Sequence, residues 1–555
     1  MNAVVFPAAK RTLDDPFYYL SNFKRVLDWI DTRYADLLEA DELAFLQQFA
    51  QLPQSAQALL VRMVMRKGTL FRRSKLRYPE IGCIDTAIAA LLAQGWAKRQ
   101  SELDASQLFG LFIKTELTPL TRQAPANLAR KDQLRDWAMA NVPAAQSLAA
   151  WGLAIEDDVY QLQVDAFCER LRLMFFGNLR QDWSEFVLAD LGIYSYEAVE
   201  ISLQSRAFQT RKEVDLYLQL AQCREQLEEG AAPADILREL ATLSSDNPWI
   251  ERRRCKLVFQ IAQQLERAGA LHEALRLYGE CDYPGARHRA VRVLEKLGQP
   301  AAAWHLAEQA LSAPESEAEL QQLQRMQPRL QRALGLARPK VAPPTAVETL
   351  NLALAQIPGA SVECVVRDHL STTEAPVFYV ENILLNGLFA LLCWPAIFHP
   401  MPGAFFHPFH HSPADLNSPD FYPRRAEQFA VCLAELNSGS YRQTILQRFA
   451  QKFGIQSSFV AWSWLDQSLL ELALACIPAT HLRSIFERIL ADIPANRAGL
   501  PDLIRFWPAT RSYQLIEVKG PGDRLQDNQV RWLSYFAQHD IPVAVCYVTW
   551  AEGAQ

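Results

Sequence analysis

The sequence predicts a mostly α-helical, multidomain chain that ends in an α/β domain. Apolar residues recur at three- and four-residue spacing from Asp15 to about residue 335, which is typical of amphipathic helices. The proline-rich segment Ala337–Ala346 interrupts this pattern, because prolines at that density stiffen a chain and stop helices. Beyond it, short apolar runs bounded by turn residues predict strands at Leu503–Trp507, Tyr513–Lys519 and Ile541–Thr549.

The composition is that of a globular protein with several cores. Half of the 555 residues are apolar and 21% are charged, which excludes a disordered chain and a collagen. The ten cysteines form no Cys-x-x-Cys pair, so we expect no zinc ribbon and a reduced, cytoplasmic protein. The stretch up to Tyr18 lacks the apolar run of a signal peptide. Ile383–Phe398, broken by Pro395, is too short to span a membrane.

Charge is distributed unevenly along the chain. The net charge is −6, but residues 51–100 hold nine Lys and Arg against two Asp and Glu, a local net of +7. Residues 341–555 hold fourteen Lys and Arg against nineteen Asp and Glu, a local net of −5. One part of the chain is therefore suited to an anionic partner, and another concentrates carboxylates.

Turn residues divide the chain into four predicted domains. Residues 1–97 form a helical domain, and residues 98–144 form a smaller SAP-like unit of two helices around a proline-containing loop. Residues 145–336 are predicted to be almost all helical. Residues 337–555 form the α/β domain.

A weak repeat runs through the third of these domains. Gly230, Gly269 and Gly298 each follow one helical segment and precede a new amphipathic one, at spacings of 39 and 29 residues. This pattern resembles a degenerate, tetratricopeptide-like array of helical hairpins. An ordinary helical bundle is the alternative.

Residues with catalytic potential concentrate in the last domain. Asp502 follows Pro501, and after fourteen intervening residues Glu517 and Lys519 flank a valine. If the two predicted strands fold as a hairpin, Asp502 lies opposite Glu517. Side chains alternate along a strand with period two, so Glu517 and Lys519 share a face. Two carboxylates and one lysine therefore converge.

This set of side chains is typical of metal-dependent phosphodiester hydrolysis. Mg²⁺ and Mn²⁺ prefer carboxylate oxygens and water. Such an ion lowers the pKa of a bound water and offsets charge that develops on the phosphate. Lys519 would position or deprotonate the attacking water or contact a phosphate oxygen, and the Val518 carbonyl would complete the metal shell. The alternative is an exposed hairpin with a surface Glu–Lys pair.

The context of these residues resembles the VRR-NUC domain of the PD-(D/E)XK nuclease superfamily. The likeness is carried by Gly499-Leu500-Pro501-Asp502, by Glu517-Val518-Lys519-Gly520-Pro521, by Asp523-Arg524-Leu525 and by Gln529, which opens a helix. The order strand, strand, helix, strand is the core of the restriction-endonuclease-like fold. Upstream, Tyr379-Val380-Glu381-Asn382 resembles the acidic first helix of this domain in the Fanconi-associated nucleases. With the matching order of domains, the sequence is identified as a member of that family, of bacterial type.

The resemblance implies a structure-selective DNA nuclease that cuts 5′ flaps, degrades DNA from 5′ to 3′ and acts in interstrand crosslink repair. It implies two Mg²⁺ or Mn²⁺ ions, whose ligands are Glu381, Asp502, Glu517 and the Val518 carbonyl. It implies Lys519 as the catalytic lysine and Gln529 as a supporting polar residue. Animal members carry a basic residue for a 5′ phosphate where this chain has Asn528, so we expect no strong 5′-phosphate anchor. The expected partners are flap or branched DNA and proteins bound by the helical repeats, in a nucleoid-associated, cytoplasmic protein without membrane contact.

A basic segment near the start of the chain predicts contacts to DNA phosphates. Seven cations lie within sixteen residues with no acidic residue before Glu80: Arg62, Arg66, Lys67, Arg72, Arg73, Lys75 and Arg77. Phe71 and Tyr78 would stack on bases or pack in the core. A solvated face without a ligand is the alternative. Weaker candidates are Lys98, Arg99, Arg130, Lys131, Arg135, Arg252, Arg253, Arg254 and Lys256, of which the last four also suit a structural ion-pair face.

Four histidines lie in one proline-rich segment: His399, His407, His410 and His411. They suit a second metal site, a loop that contacts DNA, or an irregular loop over the sheet. We favour the irregular loop because no carboxylate stands at helical spacing from them.

Two functional hypotheses follow from the sequence. One is the structure-selective nuclease, and the other is a non-catalytic scaffold that binds DNA junctions with a decayed nuclease fold. The intact Asp502, Glu517 and Lys519 favour the nuclease.

Overall fold

The computed structural model describes residues 15–551, except 122–123, 126–127, 129, 143, 191, 202–204 and 338–345. The predicted linker Ala337–Ala346 therefore lies almost wholly outside the described residues, as does most of the segment before Tyr18. The chain separates into two compact units. The N-terminal unit contains the described residues up to Tyr194 together with Arg206–Val214. The C-terminal unit contains Ser195–Ser205 and the chain from Asp215 onwards.

The N-terminal unit is mainly helical, as predicted. Its helices are α1 (Tyr18–Tyr34), α2 (Ala40–Gln51), α3 (Gln54–Val64), α4 (Ile84–Ala93), α5 (Ala105–Leu111), α6 (Thr118–Thr121), α7 (Lys131–Asn141), α8 (Asp165–Phe176) and α9 (Ser184–Asp190). Capping residues in the local sequence determine where several of these helices begin and end. Reciprocal side-chain hydrogen bonds between Glu39 and Glu42 cap the start of α2. Gly177, with φ of 65°, ends α8.

This unit also contains a small sheet, which was not predicted from the sequence. Its strands are β1 (Leu70–Arg72), β2 (Ala97–Arg99) and β3 (Val159–Leu162). Within the described residues they pair antiparallel in the order β1-β3-β2. Strands of three or four residues are too short to show alternation, and their pairing partners are far apart in sequence.

Helices continue through the third predicted domain. They are α10 (Arg211–Glu228), α11 (Pro233–Leu240), α12 (Pro248–Ala268), α13 (Leu271–Gly279), α14 (Ala286–Lys296), α15 (Pro300–Ser312) and α16 (Glu317–Ala333). Gly230, Gly269 and Gly298 follow helix ends with φ between 70° and 94°, which confirms them as helix terminators. From α12 to α16 each helix packs against the next, as an array of helical hairpins requires.

The last part of the C-terminal unit surrounds a mixed sheet. Its elements are β4 (Glu348–Leu354), α17 (Val362–Leu370), β5 (Val377–Tyr379), α18 (Leu384–Ile397), α19 (Ala426–Ser438), α20 (Tyr441–Lys452), α21 (Gln467–Cys476), α22 (Ala479–Ala491), α23 (Ile493–Asn496), β6 (Leu503–Trp507), β7 (Ser512–Lys519), α24 (Asp527–Gln538) and β8 (Val543–Trp550). In the described part of the chain the strand order is β4-β8-β7-β6-β5. The hairpin β6–β7 and the strand β8 confirm the sequence prediction, whereas β4 and β5 were not predicted.

The sheet presents two chemically different faces at β7. Ile516 and Val518 belong to an apolar core shared with Val365 and Val366 of α17. Glu517 and Lys519 alternate with them and therefore point to the opposite face. The apolar segment that begins at Ile383 is α18, which is buried on nearly every side and packs against α19 and α20. An all-round apolar helix of this kind belongs to a protein core.

None of the described helices is on its own long and apolar enough to cross a bilayer. The bent pair α21–α22, with 110° between its helices, reaches the required length and composition together.

Candidate active site and nucleic-acid interface

The β6–β7 hairpin brings the two carboxylates of the sequence motif together. Leu503 pairs with Ile516 in the antiparallel register, so the next residues outward are Asp502 and Glu517. The turn between the strands is closed by Arg511 in the left-handed region, with φ of 50°. Asp502 and Glu517 are 6% and 0% exposed, which places them inside the unit rather than on a surface hairpin.

A third carboxylate arrives from the neighbouring strand β5. Tyr379 pairs with Leu503, and the Val380 N–H donates to the Asp502 carbonyl oxygen at 2.8 Å. Glu381 follows directly, beside Asp502. The expectation that Glu381 lies on an acidic first helix is wrong, because strand pairing continues to Val380 and Asn382 adopts φ of 52° before α18 begins.

The Glu381 carboxylate is held by its sequence neighbours. The Tyr379 hydroxyl donates to Oε2 at 2.6 Å, and Asn382 Nδ2 donates to Oε1 at 3.2 Å. Asn382 Oδ1 in turn accepts from the Leu500 N–H at 3.2 Å, which ties this turn to the segment that leads into β6. Tyr379 and Asn382 were not predicted as positioning residues, although both stand in the string that carries the family resemblance.

Asp502 is fixed by the backbone of the opposite strand. The Val518 N–H donates to Asp502 Oδ2 at 2.8 Å. Burial raises the pKa of Asp502, and the negative charges of Glu381 and Glu363 add to this effect while the Val518 N–H opposes it. Glu363, in the first turn of α17, was not predicted near the site, because neither β4 nor α17 was recognised in the sequence.

Among the carboxylates Glu381, Asp502 and Glu517, Glu517 has the fewest hydrogen-bond partners. Its side chain is wholly buried, and among the described residues neither carboxylate oxygen accepts a hydrogen bond of good geometry. Lys519 Nζ lies 2.8 Å from Oε1 as an ion pair. Burial, followed by the charge of Asp502, raises the pKa of Glu517. A buried carboxylate without well-formed hydrogen bonds is costly, and one lysine offsets only one of the carboxylates gathered here, which indicates that a further cation completes the site.

The donor set fits a hard divalent cation. Three carboxylates face one ammonium, so the fully ionised cluster carries two uncompensated negative charges. Carboxylate oxygens and a peptide carbonyl are ligands suited to Mg²⁺ or Mn²⁺. Within the described residues no three His, Cys, Asp or Glu side chains are already gathered at ligand distance around one point. Some of the ligands must therefore come from backbone, water or substrate.

Close packing positions the segment that leads to Asp502. Gly499 has φ of 84°, and a Cβ there would lie 2.6 Å from the side chain of Asn528 on α24. A larger residue at 499 would therefore be strained twice, by its backbone and by this contact. Asn528 packs on Gly499. The absence of a strong 5′-phosphate anchor at this position stays a prediction.

Gln529 lies in the first turn of α24 and contributes to its cap. The Gln526 N–H donates to Gln529 Oε1 at 2.8 Å in a reciprocal capping arrangement. The side-chain amide nitrogen retains its donor capacity.

Comparison with known proteins identifies the family. Residues 17–98 match the FAN1 HTH domain, and residues 436–550 match the VRR-NUC domain. The chain is 54% identical to the Fanconi-associated nuclease 1 homolog of Pseudomonas aeruginosa, over 98% of both chains. It belongs to the Fanconi-associated nuclease family.

A further relative and two solved structures support the same family assignment. The Arabidopsis thaliana homolog is 26% identical over 96% of this chain and 67% of the relative. A crystal structure of paFAN1 bound to 2-nt 5′-flap DNA with a gap superposes with a TM-score of 0.94 at 54% identity, covering 98% of this chain and all of that one. A second, with a 1-nt flap, gives 0.92 at the same identity and covers 97% of this chain and all of that one. The chain is thus a DNA nuclease of a metal-dependent DNA-repair family, with the fold class that the sequence predicts.

The basic segment of this Fanconi-associated nuclease divides into exposed and paired cations. It runs from the end of α3 through β1. The exposed side chains are Arg66, Lys67, Lys75 and Arg77. Arg62 pairs with Glu80 at 2.6 Å, and Arg73 pairs with Asp85 at 2.6 Å. These two arginines are partly neutralised by their carboxylate partners. Fewer of the seven predicted cations are therefore suited to contact DNA phosphates than the sequence suggested.

Arg72 differs from the rest of the segment. Its side chain is only 5% exposed, and it contacts Asp157 and Glu116 at 2.8 Å each. The guanidinium also lies 4.0 Å from the centre of the Phe112 ring. A DNA phosphate would have to displace two carboxylates to reach it. We therefore treat Arg72 as a structural ion pair and leave it out of the proposed DNA contacts.

The aromatic residues of this segment pack against neighbouring side chains rather than project into solvent. Phe71 is 3% exposed and belongs to the core, so a base-stacking role is excluded for it. Tyr78 is half-buried, and the Arg62 guanidinium lies 5.2 Å from the centre of its ring.

The weaker basic candidates are mostly paired. Arg99, Arg130 and Arg135 contact nearby aspartates. Arg254 pairs with Glu251, and Arg253 lies over the rings of Tyr217 and Trp249. These contacts favour the structural reading of that helix face.

The histidine segment forms an irregular, internally packed loop. His407 is 1% exposed and stacks on His410, with 4.0 Å between ring centres. The Phe409 N–H donates to His407 Nδ1 at 3.0 Å. Burial lowers the pKa of His410 to about 3, so this ring is neutral at physiological pH. These features favour the irregular loop for His399, His407, His410 and His411.

Proposed function

We propose that this chain is a structure-selective, divalent-metal-dependent nuclease that cuts 5′ flaps and degrades DNA from 5′ to 3′ in interstrand crosslink repair. The observation that carries the proposal is the buried cluster at the ends of β5, β6 and β7, above all the unsatisfied Glu517 carboxylate. The similarity to a protein crystallised with 5′-flap DNA supports the substrate.

The roles of the site residues follow from their positions. Glu381, Asp502, Glu517 and the Val518 carbonyl are the proposed metal ligands, for two Mg²⁺ or Mn²⁺ ions. When bound, the metal supplies a water of lowered pKa and offsets charge on the phosphate. Tyr379 and Asn382 hold the Glu381 carboxylate in place. The Val518 N–H does the same for Asp502.

Lys519 is the proposed catalytic lysine. It is 8% exposed, and its ammonium lies 2.8 Å from Glu517 Oε1. From there Nζ can donate a hydrogen bond to the attacking water or to a phosphate oxygen. Gln529 is the proposed supporting polar residue, because its amide nitrogen remains available while its oxygen caps α24.

DNA contacts outside the site come from the basic segment. The proposed contacts are Arg66, Lys67, Lys75 and Arg77, which are exposed, with Arg62 and Arg73 as partly neutralised members. Such cations bind phosphates without reading sequence. The proposed domain division at residues 97, 144 and 336 is supported at its first boundary by the match of residues 17–98. Protein partners for the helical repeats and a nucleoid-associated location in the bacterial cytoplasm complete the proposal.

The direct test is cleavage of a labelled 5′-flap duplex with Mg²⁺, with Mn²⁺ and with chelator. We expect metal-dependent cutting near the junction, lost in Asp502→Ala and Lys519→Ala. Glu471→Ala, an exposed residue of α21, is the matched control and should cut normally. Binding of the flap by Asp502→Ala should stay within a few fold. Metal-independent cutting, or full activity of Asp502→Ala, would reject the proposal.

A further inference from the structure

One large aromatic side chain stands exposed beside the proposed active site. Trp464, in the loop between α20 and α21, is 62% exposed. Its ring packs edge-on against Tyr379, with 6.3 Å between ring centres. The Tyr379 hydroxyl in turn donates to Glu381 at 2.6 Å. Trp464 is thus separated from a proposed metal ligand by a single side chain.

The loop is built so that Trp464 stays outside. Leu465 is 2% exposed and fits against Gly387 of α18, where a Cβ would lie 2.8 Å from Leu465 Cδ2. Asp466 caps α21 by accepting the Leu469 N–H at 2.8 Å. On the other side, Trp462 Nε1 donates to the Ile455 carbonyl oxygen at 2.6 Å. The neighbours on both sides are anchored, so the exposure of Trp464 is a property of a fixed loop.

An exposed indole of this kind suits a nucleobase. Every base has a flat π face, and stacking on an aromatic side chain is tolerant of sequence. Bases inside a duplex already stack on each other, so only an unpaired or frayed base can use such a surface. A nuclease that acts at a flap junction meets unpaired nucleotides next to the bond that it cuts. The position beside Tyr379 and Glu381 therefore favours a base over a protein partner.

We propose that Trp464 is a stacking platform for one unpaired nucleobase of the substrate next to the scissile phosphate. This inference rests on the proposed function and adds a substrate contact to it. The contact would hold a frayed nucleotide in place as the bond enters the metal site, and it would do so for any base. It would contribute to kcat/KM on flaps and be absent for substrates that lack a base at that position.

The experiment combines a variant with an abasic scan of the substrate. Cleavage of 5′-flap DNA with Mn²⁺ is measured for the wild-type chain, Trp464→Ala and Trp464→Phe, on flaps with one abasic nucleotide at each position around the junction. Val431→Ala, on α19 and 71% exposed, is the control for loss of an exposed apolar side chain. Thermal melting of each variant checks its folding.

We expect Trp464→Ala to lose roughly 5- to 150-fold in kcat/KM, the change that corresponds to about 1–3 kcal/mol of base stacking. Trp464→Phe should recover most of this loss, and Val431→Ala should behave as wild type. One abasic position should cost the wild-type chain a similar factor and cost Trp464→Ala nothing further.

Other results would overturn the inference. If the wild-type chain tolerates an abasic nucleotide at every position, no base is stacked, and this outcome does not depend on whether a variant folds. Equal rates for Trp464→Ala and wild type on intact flaps would mean that the indole serves another partner, such as a protein. Failure of the wild-type chain to cut any flap would reject the proposed function itself.

Discussion

Glu266 in the helical repeats and Glu517 in the nuclease sheet are both buried, but their surroundings differ in opposite ways. Glu266 of α12 has a side chain 1% exposed and accepts from four donors: Tyr278, Arg289, Arg292 and Lys296. Although burial opposes it, the hydrogen bonds led by that from Lys296 lower the pKa of Glu266 to about 2. Glu517 of β7 is equally buried, has one ion pair and no well-formed hydrogen bond among the described residues, and its pKa is raised.

This difference distinguishes a buried charge that stabilises the fold from a buried charge that serves a function. A charge surrounded by its partners stabilises the packing of helices that supply them. A charge left short of partners costs stability unless a ligand compensates it. The same contrast distinguishes Arg72, which is enclosed by two carboxylates, from the exposed Arg66 and Lys67.

The largest expected effect is on cleavage. Glu517→Gln removes the negative charge with almost no change in volume, so the fold should persist while metal binding fails. We expect kcat/KM on a 5′ flap to fall by about 10²- to 10³-fold, the scale on which groups that stabilise a charged transition state act. Glu266→Gln, measured in parallel, should keep activity within a few fold. Similar losses in both variants would contradict the distinction.

Glu266→Ala should have the larger effect on stability. It leaves Arg289, Arg292 and Lys296 without their common partner, and because these cations are partly exposed we expect a loss of about 1–3 kcal/mol. Hydrogen exchange of the full chain should show lost protection in α12 and α14, with the nuclease sheet unchanged. Unchanged protection in these helices would show that the ion pairs are dispensable.

The stabilisation from Glu266 should depend on pH in a defined window. Because the folded pKa lies below the ordinary value of 4.5, its contribution is fully present above that value and is lost as the pH falls towards about 2. The difference in protection between wild type and Glu266→Gln should therefore shrink between pH 4.5 and 2. A difference that grows on acidification would have the wrong sign.

Within the basic segment, Arg72 and Lys67 should separate stability from DNA binding. Arg72→Ala removes the cation that Asp157 and Glu116 share and should destabilise the N-terminal unit by about 1–3 kcal/mol. Its effect on the salt dependence of DNA binding should be small.

Lys67→Ala should show the reverse. The N-terminal unit should keep its stability, and the slope of log K against log salt should drop by about 0.9 on duplex DNA. Fluorescence anisotropy at several salt concentrations measures this slope. An unchanged slope for Lys67→Ala, or a lowered one for Arg72→Ala, would reverse the assignment.

How much of the structure can be predicted from the sequence depends on how far apart the interacting residues lie along the chain. The hairpin that joins Asp502 to Glu517 was predictable, because its strands are adjacent and alternation fixes which side chains share a face. Glu381 came only from a family resemblance, since β5 has three residues and its pairing with β6 crosses more than a hundred positions. The burial of Arg72 could not be predicted for the same reason, because its partner Asp157 lies 85 residues away along the chain.

Thermal melting of wild type and Glu517→Gln, each with and without Mn²⁺, tests the central claim that Glu517 is a metal ligand. An ion that binds the folded protein stabilises it by about 2.7 kcal/mol at a hundredfold excess over its Kd. We predict that metal-free Glu517→Gln melts above metal-free wild type, because the repulsion between Glu517 and Asp502 is gone while Asp502 still faces the Lys519 ammonium. Mn²⁺ should raise the Tm of wild type and leave that of the variant almost unchanged. A variant that melts lower without metal and keeps the full Mn²⁺ shift would contradict the account.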